Sequence, residues 1–253
     1  MEITPLESKI ILENSRVLLL PFESERKYEL KRIIFDHDIW QYMGMKIETE
    51  SDFEYYVHET LESKKQGVCY PFIIVDKQTN EVAGSTRFGN INQKSEKCEI
   101  GWTWYGTQFQ GTGLNKAAKY ELLNFGFETL GFRRIQLSAD LENIRSQKAI
   151  EKLGARRDGV FRNNYIDSDG ISKDDVYFSI IKEEWPQLKS TVFLGFIGSR
   201  IIFEPKGGDF HLSNTKNFIQ RLISRTFVRN GQTNKIRPGL SADGGNLGTA
   251  FLL

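Results

Sequence analysis

The stretch QGTGLNKAAKYELL, residues 110–123, sets two glycines ahead of apolar residues with helical spacing. The first turn of a helix offers unpaired N–H groups and the positive end of the helix dipole. Gly111 and Gly113 carry no Cβ, so an anion can reach those amides closely. This suits a pyrophosphate, and it equally describes two turn glycines before an ordinary helix. Two nucleotide loops are excluded by spacing. A P-loop needs G-x-x-x-x-G-K-[ST], yet no glycine directly precedes Lys116 and no Ser or Thr follows it. A dinucleotide fingerprint needs G-x-G-x-x-G, and Lys116 occupies its third glycine position. Glu99, on a predicted strand, is a candidate general base acting directly or through one water. Asn143, between a predicted strand and a helix, is suited to an N-cap, and Ser146 falls in the first turn after it. No His is positioned by sequence beside Cys98, which reads as a small buried strand residue. His37 and His58 fall in predicted helices with surface or packing roles.

The elements that must position these residues alternate along 1–190. Strands are predicted at 16–22, 70–76, 81–91, 97–106, 133–140, 155–166 and 172–185. Helices are predicted at 25–40, 50–65, 114–129 and 143–154, with Gly154 closing the last. In 97–106 the alternation puts Cys98, Ile100, Trp102 and Trp104 on one face and Glu99, Gly101 and Thr103 on the other. Strand 97–106, helix 114–129 and strand 133–140 suggest a crossover, hence one parallel pair in an otherwise antiparallel sheet. The expected fold class is α+β, a mixed, mostly antiparallel sheet with flanking helices. Residues 191–253 hold 8 Lys/Arg against 3 Asp/Glu and 9 of the 22 glycines, so they read as a basic, glycine-rich tail, largely disordered, with a helix-like stretch at 215–227.

Net charge over the 253 residues is +1, which argues against a dedicated nucleic-acid binder. The two cysteines supply neither a disulfide framework nor a four-ligand zinc site, so no metal is expected. No apolar run reaches the length of a membrane span and MEITPLESKI lacks the marks of a signal peptide, so a cytoplasmic location is expected.

These motifs, in this order, resemble the GNAT superfamily of N-acetyltransferases over about residues 15–188. Gln110 and Gly113 fill the first and fourth positions of its Q/R-x-x-G-x-G/A acetyl-CoA signature. Asn115 departs at the sixth, and GTGLN is similar to the branch of ribosomal-protein N-terminal acetyltransferases. EIGWTWYG and NIRSQKAIEKLGARRDGVFR continue the likeness, and the tail has no counterpart. The resemblance implies a GNAT-like fold with a splayed parallel strand pair and acetyl-CoA as cosubstrate. It implies that backbone amides of Gln110, Gly111, Thr112, Gly113, Leu114 and Asn115 cradle the CoA pyrophosphate. The pantetheine arm would pair with the 99–104 backbone, Trp102 included, and meet Asn143. Ser146 would stand near the CoA sulfur as thiolate donor, since Ile150 occupies the place where many relatives carry a catalytic Tyr. The implied reaction is direct attack of a primary amine, from a protein N-terminus or a small molecule, with Ser146 and Glu99 as catalytic candidates. A CoA-binding module without turnover is the alternative. Tyr165 is placed toward the acceptor, and Asp36, Asp38, Asp52 and Glu54 either attract a cationic amine or form a solvated acidic face.

Overall fold

The computed structural model describes residues 9–196 and 199–204. Strands β1 (Lys9–Glu13) and β2 (Val17–Pro21) precede two 3-10 segments, Glu25–Arg32 and His37–Ile39, and helix α1 (Glu50–Lys65). Strands β3 (Tyr70–Asp76), β4 (Glu81–Asn92) and β5 (Lys97–Tyr105) form a meander. Then follow α2 (Leu114–Asn124), β6 (Arg134–Asp140), α3 (Ile144–Glu151), β7 (Arg156–Ile166), β8 (Ser172–Ile181), α4 (Trp185–Thr191) and β9 (Arg200–Glu204). The sheet runs β7-β8-β6-β5-β4-β3-β2-β1-β9, antiparallel except for β5 and β6.

The central strand β3 explains the layering. All seven of its residues are buried, because both faces of the sheet are covered there. Phe72 and Ile74 enter a core that also holds Leu114, Tyr120 and Trp185 from α2 and α4. Ile73 and Val75 enter a second core with Trp40 and with Phe53 of α1. Burying large side chains such as these contributes about 1.5–3 kcal/mol each.

The expectation of one helix over 25–40 gives way to two 3-10 segments, the first ending at Arg32 and the second capped by Asp36. Its carboxylate accepts the Asp38 N–H at 3.1 Å, a local bond that competes with continued helix. The helix predicted at 114–129 keeps its α-helical bonds only to Asn124, and a π turn, Phe125–Thr129, completes it. The expected Trp102–Trp104 row also breaks. Ser85 pairs with Trp104 and Arg87 with Gly101, so Trp102 and Thr103 together oppose Thr86 alone. This β-bulge, with Trp102 at φ 49°, shifts the alternation by one residue. Cys98 and Ile100 face α2, Trp104 lies in the α1 core, and Trp102 is 39% exposed.

Strand β9 lies within the stretch expected as a tail, so the sheet runs past residue 190. Its Phe203 is buried in the α2-side core, a signal that the glycine-rich composition of 191–253 averages away. The helix-like stretch 215–227 lies outside the described residues.

Helix α2 is tied to the β1–β2 turn by Asn14, whose Nδ2 donates to Glu121 Oε1 at 2.9 Å. Burial pushes the Glu121 carboxyl up to about 8. A carboxyl raised in the folded state favours folding below its unfolded pKa and loses that advantage as pH rises through the folded value. The Glu121→Gln protein, which keeps an acceptor for Asn14, is therefore expected to match the parent in stability near about pH 4 and to exceed it at about pH 9. Urea unfolding at the two pH values reads the difference.

Candidate active site

Parallel pairing of β5 with β6 covers three residues only, Lys97–Glu99 with Arg134–Gln136. Beyond it the strands part: β5 continues to Tyr105 along β4, and β6 continues to Asp140 along β8. The bulge at Trp102–Thr103 lies on the freed part of β5, where extra twist is expected to widen the gap. The Trp102 indole covers Gly89, where an added Cβ would come within 2.3 Å of the ring, and Arg87 stacks on it at 5.3 Å.

Past β5 the chain reaches the start of α2. Gly111 and Gly113 have φ 76° and 84°, in the left-handed region that favours glycine. A Cβ at either would meet nothing within 4 Å, so both backbones face open space. Gly113 is the N-cap, no side chain caps the helix, and its first turn has no acidic residue. The unpaired amides are thus left for an external acceptor, a fit to an anion such as pyrophosphate. Gln110 is fixed by donating to the Tyr105 carbonyl at 3.2 Å, and Thr112 by donating to the Phe109 carbonyl at 2.8 Å. Leu114 is fully buried and anchors the helix start, while Asn115 holds a buried Oδ1 without a hydrogen-bond partner.

Asn143 is the N-cap of α3, accepting the Ser146 N–H at 3.0 Å through Oδ1. Its Nδ2 is not engaged by that bond. Ser146 is half-buried. Arg145, between them, donates to Gln110 Oε1 and so joins α3 to the glycine loop. Gln110, Asn143, Arg145, Thr107, Asp38 and Tyr42 line one cavity of about 480 Å³. Glu99, Ser146 and Gly111–Asn115 are not among its lining residues.

Glu99 stands where the strands part. It is 4% exposed and accepts from Asn90 Nδ2 at 2.8 Å, Gln136 Nε2 at 3.0 Å and Ser138 Oγ at 2.9 Å. A carboxylate has about four lone-pair sites, so room for a further donor remains. Along the same face of β6 follows Asp140, buried, which accepts the Tyr165 hydroxyl at 2.6 Å and the Glu142 N–H at 2.7 Å. Burial first, then this bond, raise the Tyr165 phenol, which stays protonated at neutral pH. Burial likewise raises Asp175, which faces Asp140 across β6 and β8.

The acidic residues from the first third of the chain divide. Asp52 completes a capping box with Thr49 at the start of α1, and Glu54 pairs with Lys31 at 3.4 Å. Asp36 accepts the Thr107 hydroxyl at 2.9 Å, and Asp38 faces the cavity. Cys98 is buried, and His37 and His58 are exposed. Arg145 and Asp140 escape sequence reasoning because one Arg in a helical first turn and one Asp at a strand end are common everywhere.

Residues 16–156 match the family described as an acetyltransferase (GNAT) domain. The chain belongs to the GNAT acetyltransferase family. It is an acetyltransferase enzyme, and the family takes its acetyl group from acetyl-CoA. It is 28% identical over 175 residues to p20 of Bacillus licheniformis, named an uncharacterized N-acetyltransferase, covering 69% of this chain and 97% of p20. Over 105 residues it is 32% identical to YdaF of Bacillus subtilis (strain 168), provisionally named a ribosomal N-acetyltransferase, covering 41% of this chain and 56% of YdaF. The solved GCN5-related N-acetyltransferase from Brucella melitensis superposes with a TM-score of 0.67 at 25% identity, over 73% of this chain and 84% of that one. The GNAT match ends inside the first residues of β7, so β8, α4 and β9 lie beyond it. Among the described residues no helix is long and apolar enough to cross a membrane, and no cluster of His, Cys, Asp or Glu is placed to hold a metal ion.

The cap at Asn143 is testable apart from chemistry. Asn143→Ala is expected to destabilise the protein by about 1 kcal/mol and Asn143→Asp by much less, read from denaturant midpoints at constant m-value.

Proposed function

We propose that this GNAT enzyme is an acetyl-CoA-dependent N-acetyltransferase that acetylates a primary amine, from a protein N-terminus or a small molecule, by direct attack. The observation that carries the proposal is the parting of β5 and β6 after Glu99 and Gln136, combined with an uncapped, glycine-entered helix start just past β5. Acetyl-CoA, when bound, supplies the activated acyl group. The amides from Gln110 to Asn115 bind its pyrophosphate, with Arg145 as a nearby cation. The open edge of β5 along 99–104, Trp102 included, receives the pantetheine arm as a short extra strand.

Direct attack needs three services from the chain: removal of an amine proton, polarisation of the acyl carbonyl, and stabilisation of the leaving sulfur. Glu99 takes the amine proton, through one water if the amine stops short of it; its three donors hold the carboxylate in one orientation. A backbone amide in the β5 bulge polarises the carbonyl, since a bulge leaves backbone groups outside the ladder. The Ser146 hydroxyl donates to the departing sulfur. Asn143 serves twice, capping α3 through Oδ1 and donating from Nδ2 to the pantetheine. Glu99, Asp140 and Asp175 give the acceptor side a negative field that draws a cationic amine. No covalent intermediate on the protein is required, which agrees with the deep burial of both cysteines.

Calorimetric titration of acetyl-CoA into the full chain tests the first half of this reading. Binding is expected, and Gly113→Glu, which sets a carboxylate at the helix start, is expected to abolish it while circular dichroism shows the fold retained. Equal binding by the variant would overturn the pyrophosphate assignment. The second half is tested with an amine panel: Ser146→Ala and Glu99→Gln are each expected to lower turnover by about 100-fold with acetyl-CoA affinity kept.

A further inference from the structure

Lys119 lies in the middle of α2 with its side chain turned against the sheet, and it is 5% exposed. Its Nζ donates to Thr103 Oγ1 at 2.6 Å and reaches Thr86 Oγ1 at 3.5 Å. The two threonine hydroxyls bond each other at 2.8 Å, and Thr103 Oγ1 also lies 3.3 Å from the Gly101 carbonyl. Thr103 is one of the two residues that form the β5 bulge, and Thr86 is the single residue opposite them. One amine nitrogen therefore touches both sides of the bulge.

Nothing in ordinary core packing asks for a cation there. On its own face of α2, Lys119 is flanked by Asn115, Lys116, Leu122 and Leu123, of which both leucines are buried among apolar side chains. Its described hydrogen bonds are to hydroxyls, and none is to a carboxylate. The charged group acting on it is Glu99 of β5, which favours the ammonium, while burial, the larger effect, pushes it down to about 7. Thr86 on β4 and Thr103 on β5 contribute no charge. A buried cation with only hydroxyl partners destabilises the fold relative to an apolar side chain of similar length. Asn115, one turn earlier on the same stripe of α2, carries the buried Oδ1 without a partner. A strip of polar atoms thus runs from the glycine-entered helix start to the bulge.

We propose that Lys119 is a positioning residue of acetyl transfer, clamping Thr103 to Thr86 so that the β5 bulge keeps the shape that receives the thioester arm. The proposal rests on the cofactor reading above, and the clamp itself does not. Without the Lys119 amine, the bulge keeps the threonine–threonine bond and the weaker Thr103–Gly101 contact, and its backbone is freer to relax toward a regular ladder.

The test uses the full chain and the variants Lys119→Met and Thr103→Val. Amide hydrogen exchange in the ligand-free protein reads the clamp directly, and exchange at residues 101–103 is expected to speed up in both variants. Acetyl-CoA affinity is expected to weaken about tenfold, because binding must then re-form a bulge that has lost one clamping hydrogen bond. The melting temperature of Lys119→Met is expected to rise, the reverse of what loss of a structural contact gives. Unchanged exchange at the bulge, or unchanged affinity with faster exchange, overturns the proposal. Should Lys119→Met fail to fold, Lys119 is a structural residue by that result and the proposal falls. Wild-type protein that binds no acetyl-CoA would sink the cofactor reading, while exchange at the bulge would still decide the clamp.

Discussion

Three residues of parallel pairing hold the two halves of this sheet together. Lys97–Glu99 and Arg134–Gln136 join the β1–β5 meander with β9 to the β6–β8 unit. More pairing would close the gap and remove the site; none would leave two separate sheets. The compromise is stabilised from behind, where Cys98 and Ile100 of β5 and Ile135 and Leu137 of β6 share the core under α2. The side chains on the other face, freed from core duty, are Glu99, Gln136 and Ser138, and they bond to one another. The same short junction therefore supports the fold on one face and carries polar chemistry on the other.

Much of this was legible in the residues, because the relevant signals are local. YPFIIVD, bounded by turn formers, yields β3 over the predicted span, and Asn143 before an amphipathic run yields the cap of α3. Gly111 and Gly113 read as a turn open to close approach before a helix, and both sit at a helix start with open space where a Cβ would be. The single parallel pair followed from one long helix between two strands. What was not legible depends on contacts between distant segments. Strict alternation over 97–106 is the simplest pattern, and the bulge that breaks it is set by pairing with β4. β1 and β9 each span five residues, and β9 at the sheet edge pairs with β1, more than 180 residues earlier in the chain. The burial of Glu99 could not be read from its neighbours, since three donors from β4 and β6 fold around it.

Helix α2 shows what such a site demands of its scaffold. Its start is left without a side-chain cap, because Gly113 is held at φ 84°, a conformation that the usual capping residues Ser and Asp adopt only with strain. Its middle buries Lys119 toward the bulge and Glu121 toward Asn14, two residues apart and on different faces. Burial drives each toward its neutral form, one from above and one from below. Around them the helix is apolar, with Ala117, Ala118, Leu122 and Leu123 fully packed, which holds these polar groups in place.

The pairing of β9 with β1 sets a distance. Strands in a sheet stand about 4.8 Å apart, and β9 is five positions from β5, so Glu204 leaves the sheet roughly 24 Å from the gap between β5 and β6. At the β7 edge, Tyr165 is bonded to Asp140. The sheet is thus asymmetric: one rim carries the β1–β9 pairing, and the other carries the β7 strand tied to β6.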